Sequence, residues 1–107
     1  MFTVEYYLNS DGTNLVAEWL AGLSDPQTFS RFADRIDRLE LGNFGDHKPV
    51  GEGVWELRLN FGPGYRVYYV RVGSAVLLLL GGGTKASQKR DIRRAIRNKI
   101  EQEGRDE

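Results

Sequence analysis

A chain of 107 residues with no cysteine, one histidine and balanced formal charge has room for one small core, which at this size buries roughly 60 to 70% of the unfolded surface. Disulfides are excluded, and a zinc or iron site, which leans on Cys and His, is disfavoured. With no apolar run near the roughly 20 residues of a membrane span and no charged-then-apolar leader in "MFTVEYYLNS", the composition predicts a cytoplasmic domain over 1–107 with no bound metal.

The β-branched and aromatic "FTVEYYL" predicts a first strand. "TNLVAEWLAGL" puts Leu15, Val16, Trp19, Leu20 and Leu23 on one face of an amphipathic helix. A second helix follows in "DPQTFSRFADRIDRLELG", with Asp25 as N-cap, Pro26 at the first helical position and Gly42 as stop. Its predicted buried stripe is Phe29, Phe32, Ala33, Ile36 and Leu39. "GNFGDHKPVGEG" reads as a loop, and three strand-like runs come after it. In "VWELRLNF", Trp55, Leu57, Leu59 and Phe61 alternate with Glu56, Arg58 and Asn60. "GPGYRVYYVR" is the second run. "AVLLLL" is apolar throughout, as expected of an interior strand covered on both faces. "KASQKRDIRRAIRNKIEQE" predicts a terminal helix with a narrow apolar stripe of Ile92, Ala95, Ile96 and Ile100, held along one edge of the sheet, and a basic remainder.

Arg66 stands among aromatics, and the turn before it decides where it points. A two-residue loop at Pro63 and Gly64 would put the arginine on the apolar side. A three-residue loop, Gly62 to Gly64, pairs Phe61 with Tyr65, Leu59 with Val67 and Leu57 with Tyr69, and keeps apolar with apolar. Glu56, Arg58, Arg66 and Tyr68 then share one polar face of the sheet, away from the helix pair. An ordinary cross-strand ion pair between Glu56 and an arginine would contribute under about 1 kcal/mol.

Charge is divided along the chain. From Met1 to Leu57, ten acids against four bases leave −6; from Arg58 to Ile100, ten bases against one acid leave +9; the remaining seven residues return −3. Clustered Lys and Arg point to a polyanion, because they release counterions from phosphates. A solvated basic helix is the plainer reading. "GGGTKASQ" reads as a glycine turn into a helix start, where backbone amides and Lys85 attract anions, although the P-loop spacing is absent. Arg58, Arg66, Lys85, Lys89, Arg90 and Arg93 would line one groove.

The element order, with "GNFGDHKPVGEGVWELRLNFGPGYRVYYV" and "LLLLGGGTKASQKRDI", resembles the RelE/ParE toxin superfamily and, more closely, HigB-like, phage-derived addiction-module killer proteins. The resemblance spans nearly the whole chain and rests on "ELR", "GPGYR" and "GGxKxSQxxDI" in that order. It implies an α+β, RelE-like fold: one strand and a helix hairpin on a mainly antiparallel four-stranded sheet, with a basic C-terminal helix. It also implies a bacterial toxin, silenced by an adjacent antitoxin, that cleaves mRNA in the ribosomal A site.

The family's basic positions fall on Arg58, Arg66 and Lys85. Glu56 stands where RelE proper has a lysine and Ile92 near where it has a tyrosine, so the general base is left open. The expected chemistry is attack of an RNA 2′-hydroxyl on the neighbouring phosphate, which requires no metal or cofactor. Arg58 and Arg66 would steady the phosphate, Lys85 would orient it or supply a proton, and Glu56 is a possible base, weakened if salt-bridged. Lys48, Tyr68, Lys89, Arg90 and Arg93 would bind RNA. His47 is a candidate acid-base group, since a free imidazole changes charge near neutrality, but a lone loop histidine is usually solvent-exposed. The rival classes are a ParE-like inhibitor that binds DNA gyrase and a non-catalytic nucleic-acid-binding module. The antitoxin would cover the groove, displace the terminal helix, or bind the helix hairpin.

Overall fold

The computed structural model describes residues 1–23 and 25–106. In chain order the elements are β1 (Thr3–Tyr6), α1 (Leu15–Ala21), α2 (Pro26–Glu40), β2 (His47–Gly51), β3 (Val54–Leu59), β4 (Tyr65–Val72), β5 (Val76–Thr84), a 3-10 turn (Lys85–Ser87) and α3 (Gln88–Asp106). The strands form a five-stranded sheet in the order β1-β5-β4-β3-β2. Only the β1–β5 pair is parallel. The α+β class is as expected, but the sheet has five strands rather than four.

The extra strand is β2, within the stretch read as a loop. Its Pro49 has no N–H, its register shifts between Pro49 and Gly51, and Glu52 and Gly53 after it turn with φ of 54° and 79°. A proline is tolerated on a strand that pairs on one side only, so composition hid an edge strand.

Two apolar layers flank the sheet. Val16, Phe32 and Leu39 from α1 and α2 pack on Leu57, Leu59, Val67, Tyr69, Leu77 and Leu79. On the other face α3 lays Ala95, Ile92 and Ile96 over Val54, Tyr68, Val70, Leu78 and Leu80. Helix α3 therefore crosses interior strands instead of running along an edge. Asn98 anchors it, donating its side-chain N–H to the carbonyl of Leu80 at 2.9 Å. Ile100, expected in the stripe, is 61% exposed.

Helix α2 begins as expected: the Asp25 carboxylate accepts the Gln27 N–H at 3.0 Å, with Pro26 first in the helix. Gly42 after it takes φ of 84°, open to glycine but strained for other residues. Its buried face is narrower than the pattern suggested. Phe32 and Leu39 are buried, whereas Phe29 is 52% exposed and Ala33 is also exposed.

The β3–β4 register pairs Leu59 with Tyr65, Leu57 with Val67, Arg58 with Arg66 and Glu56 with Tyr68. The connection is thus residues 60–64, two longer than expected. A slip of two residues keeps every side chain on its side of the sheet. The glycine run also differs: Gly81, Gly82 and Gly83 are part of β5, paired with Tyr68, Val67 and Arg66. A Cβ on Gly82 would overlap the Trp19 ring, and one on Gly83 would overlap the Asp91 carboxylate. These glycines admit close neighbours from both faces; they are not a phosphate-cradling turn.

Candidate functional site

Pairing across β2, β3, β4 and β5 sets two adjacent rows of side chains on the α3 face. One row runs Lys48, Glu56, Tyr68, Gly81; the next runs Arg58, Arg66, Gly83. The missing side chain at Gly83 leaves space that polar groups at the start of α3 fill, while the space over Gly81 stays open. Ser87 donates its hydroxyl to the Asp91 carboxylate, and Asp91 lies against Gly83.

Glu56 is the centre of the arrangement. It is fully buried, and its Oε1 accepts from Arg58 Nε at 3.1 Å, with Arg66 Nε at 3.8 Å. Its Oε2 accepts from Gln88 Nε2 at 2.6 Å, which ties the first turn of α3 to β3. A buried carboxylate needs such partners, because an isolated charge in an apolar interior is strongly disfavoured. Arg66 is buried too and donates Nη1 to its neighbour's carbonyl, Tyr65 O, at 2.9 Å. Arg58 is the more open arginine, its side chain 30% exposed, and it reaches Asp46 at 3.9 Å. Asp46 also accepts from Asn60 Nδ2 at 2.6 Å. Lys85 is exposed beside this cluster, its backbone N–H on Gly64 O at 2.8 Å.

Among the described residues, two buried polar atoms here find no hydrogen-bond partner: Arg66 Nε and the Tyr68 hydroxyl. Burial first, then the nearby carboxylates of Glu56 and Asp91, push the Tyr68 hydroxyl well above the usual tyrosine range, with Arg66 acting the other way. Next to the cluster, Lys85, Ser87, Gln88, Lys89, Arg90 and Arg93 line an open cleft of about 500 Å³.

Glu56, Arg58, Arg66 and Tyr68 therefore meet as expected, Lys85 adjoins them, and Lys89, Arg90 and Arg93 line the neighbouring cleft. Lys48 is exposed on β2, in the row of Glu56. Two expectations change. Tyr68, expected at an RNA surface, is wholly buried under α3, and the polar face continues into an apolar layer. His47 lies in a strand rather than a loop and points to the opposite face: it stacks on Trp55 with ring centroids 4.9 Å apart, its Nδ1 3.0 Å from the Tyr69 hydroxyl.

Sequence reasoning missed Asp46, Asn60, Ser87, Gln88 and Asp91. Asp91 carried a usable signal, as the one acid among ten bases between Arg58 and Ile100. Asp46 and Gln88 carried none, since only tertiary pairing brings them to Arg58 and Glu56.

No family model matches the chain. A protein of Haemophilus influenzae, described as uncharacterized, is 43% identical over 77 residues, which are 72% of this chain and 78% of that protein. The chain belongs to the same family as this Haemophilus protein.

Chemically, the cluster presents cations whose directions are fixed from below. Charge-assisted hydrogen bonds are roughly twice as strong as neutral ones, so Glu56 holds the Arg58 guanidinium by its Nε and leaves the terminal nitrogens toward Asp46 and solvent. Glu56 is closed off from solvent and acts as an orienting group in this conformation. Asp46, with 45% of its side chain exposed, is a carboxylate that an incoming hydroxyl can reach.

Proposed function

We propose that the protein is the toxin of a type II toxin-antitoxin system, a ribosome-dependent endoribonuclease that cuts mRNA in the cytoplasm and inhibits translation. The reading is supported by one observation above all. Arg58 and Arg66 face each other across β3 and β4, oriented by a buried carboxylate, beside an open cleft lined with Lys85, Lys89, Arg90 and Arg93.

In the proposed reaction a 2′-oxygen attacks the adjacent phosphorus and the bond to the 5′-oxygen breaks, leaving a 2′,3′-cyclic phosphate and a 5′-hydroxyl. Asp46 takes the 2′-proton, and Lys85 returns one to the departing 5′-oxygen. Arg58 and Arg66 steady the charge that builds on the phosphoryl oxygens, the contribution that is usually largest in such reactions. Glu56 and Gln88 keep the two arginines in place. Lys48, Lys89, Arg90 and Arg93 hold the RNA strand. No step on these residues calls for a metal. A cognate antitoxin is the proposed silencing partner.

Inducing the chain alone in bacteria and mapping new mRNA 5′ ends tests the reading. Growth arrest with in-frame cuts that require translation is expected. Intact mRNA with DNA damage would favour gyrase inhibition, and binding to RNA without cuts would favour a non-catalytic module.

A further inference from the structure

On the face opposite the basic cluster, helix α2 leaves part of its apolar stripe uncovered. Phe29 is 52% exposed and Tyr6 on β1 is 36% exposed. With Leu20, Ala33, Ile36 and Asp37 they line a cleft of about 240 Å³ between β1, α1 and α2. The cause is local: α1 has seven residues, its Trp19 packs on Phe32, and only its Leu20 lines the cleft. An apolar side chain left half in water beside a preformed cleft is an unsatisfied surface.

Its charged surroundings are acidic. Asp37 is the charged residue lining the cleft. Glu40, one turn further on, lies close enough to Tyr6 to add to the upward push that burial gives the Tyr6 hydroxyl. The arginines of α2 are elsewhere: Arg31, Arg35 and Arg38 line a separate cleft with Leu59, Asn60 and Phe61. A ligand with apolar side chains would thus meet carboxylates at the edge.

We propose that this cleft docks a segment of a different protein in which apolar side chains are flanked by lysine or arginine. A second copy of this chain is a poor occupant. Pairing its own cleft with that of another copy would set Asp37 and Glu40 against the same carboxylates, and of its other exposed large apolar side chains, Met1, Leu8, Leu41, Val72 and Ile100, Ile100 is followed by Glu101 and Glu103. Charge complementarity at the rim selects the partner and speeds encounter, while the buried apolar anchor holds it. The inference does not depend on the basic face cutting RNA.

Selection of a random 12-residue phage-displayed library against the purified protein tests it, with nuclear magnetic resonance shifts to map where the recovered peptides bind. Peptides with apolar residues between Lys or Arg are expected, shifting Tyr6, Leu20, Phe29 and Ile36. Phe29→Asp, at an exposed position, should weaken them about tenfold or more, and Asp37→Lys should weaken the most basic ones while leaving the far-UV spectrum unchanged. The proposal is overturned by an acidic consensus mapping to Lys85–Arg93, by no enrichment, or by equal binding to Phe29→Asp. Concentration-dependent dimerisation abolished by Phe29→Asp would assign the cleft to a second copy instead.

Discussion

Glu56, Arg66 and Tyr68 show how one buried acid organises a polar pocket inside an apolar layer. Glu56 has donors from β3 and α3, but the Tyr68 hydroxyl beside it has none among the described residues. A buried hydroxyl without a partner costs free energy that a phenyl ring avoids. Tyr68→Phe should therefore leave stability unchanged within about 1 kcal/mol or raise it, measured by urea unfolding. Tyr68 and its chain neighbour Tyr69 set an alkaline limit. Burial pushes Tyr69 up to about 12 from 10.0 and Tyr68 further. Unfolded tyrosines lose their protons near pH 10 while these two keep theirs, so stability is full below about pH 10 and falls as pH rises towards 12. Thermal unfolding from pH 8 upward should show that fall, shallower in Tyr68→Phe and in Tyr69→Phe. A flat profile in the parent protein would contradict the burial of these hydroxyls.

Helices α1, α2 and α3 and strands β1, β3, β4 and the first part of β5 were legible from local pattern: helical stripes, the caps of α2, the alternation of β3 and the apolar run that opens β5. Face assignment for Glu56, Arg58, Arg66 and Tyr68 was also legible, since parity survives an error of two in loop length. Strand β2 was not, because pairing with β3 overrides a proline and glycines that locally favour a loop. Nor was the burial of Glu56 and Tyr68, which depends on α3 crossing the sheet interior rather than its edge. The glycines of β5 make this packing possible, and they give a sharp element-scale expectation. Gly82→Ala forces a methyl into the Trp19 ring and should destabilise by about 1 to 3 kcal/mol. Gly81→Ala, with open space around the new methyl, should cost much less. Urea midpoints for the two variants check this, and equal losses would mean that Trp19 is not seated on β5. Helix α3 is also fastened at its far end, where Tyr7 donates to Glu101 at 2.6 Å and Arg105 donates to Leu8 O at 2.5 Å. Polar ties at both ends of α3 thus supplement its narrow apolar stripe.

Across the whole molecule the charge division along the chain becomes a division in space. The basic run from Arg58 to Ile100 builds the α3 face with its open cleft, and the acidic first half supplies the rim of the apolar cleft on the other side. No helix among the described residues is long and apolar enough to cross a membrane. If Lys85, Lys89, Arg90 and Arg93 hold a single RNA strand, affinity should fall steeply with salt, each phosphate contact adding about −0.7 to the logarithmic slope. Charge reversal at Lys89 and Arg90 should flatten that slope, as read by fluorescence anisotropy with a labelled oligonucleotide. An unchanged slope would place the RNA elsewhere.

The central claim is that Arg58 and Arg66, oriented by Glu56, activate a phosphate for cleavage. It is tested most directly by the single-turnover rate of mRNA cutting on programmed ribosomes by the parent protein, Arg58→Ala and Arg66→Lys, with ribosome binding and far-UV spectra measured in parallel. Cutting by the parent is expected, with a loss of about 10²- to 10³-fold in Arg58→Ala. Arg66→Lys should lose less, and both variants should remain folded and ribosome-bound. Cutting at the parent rate by both folded variants, or no cutting by the parent protein, would contradict it.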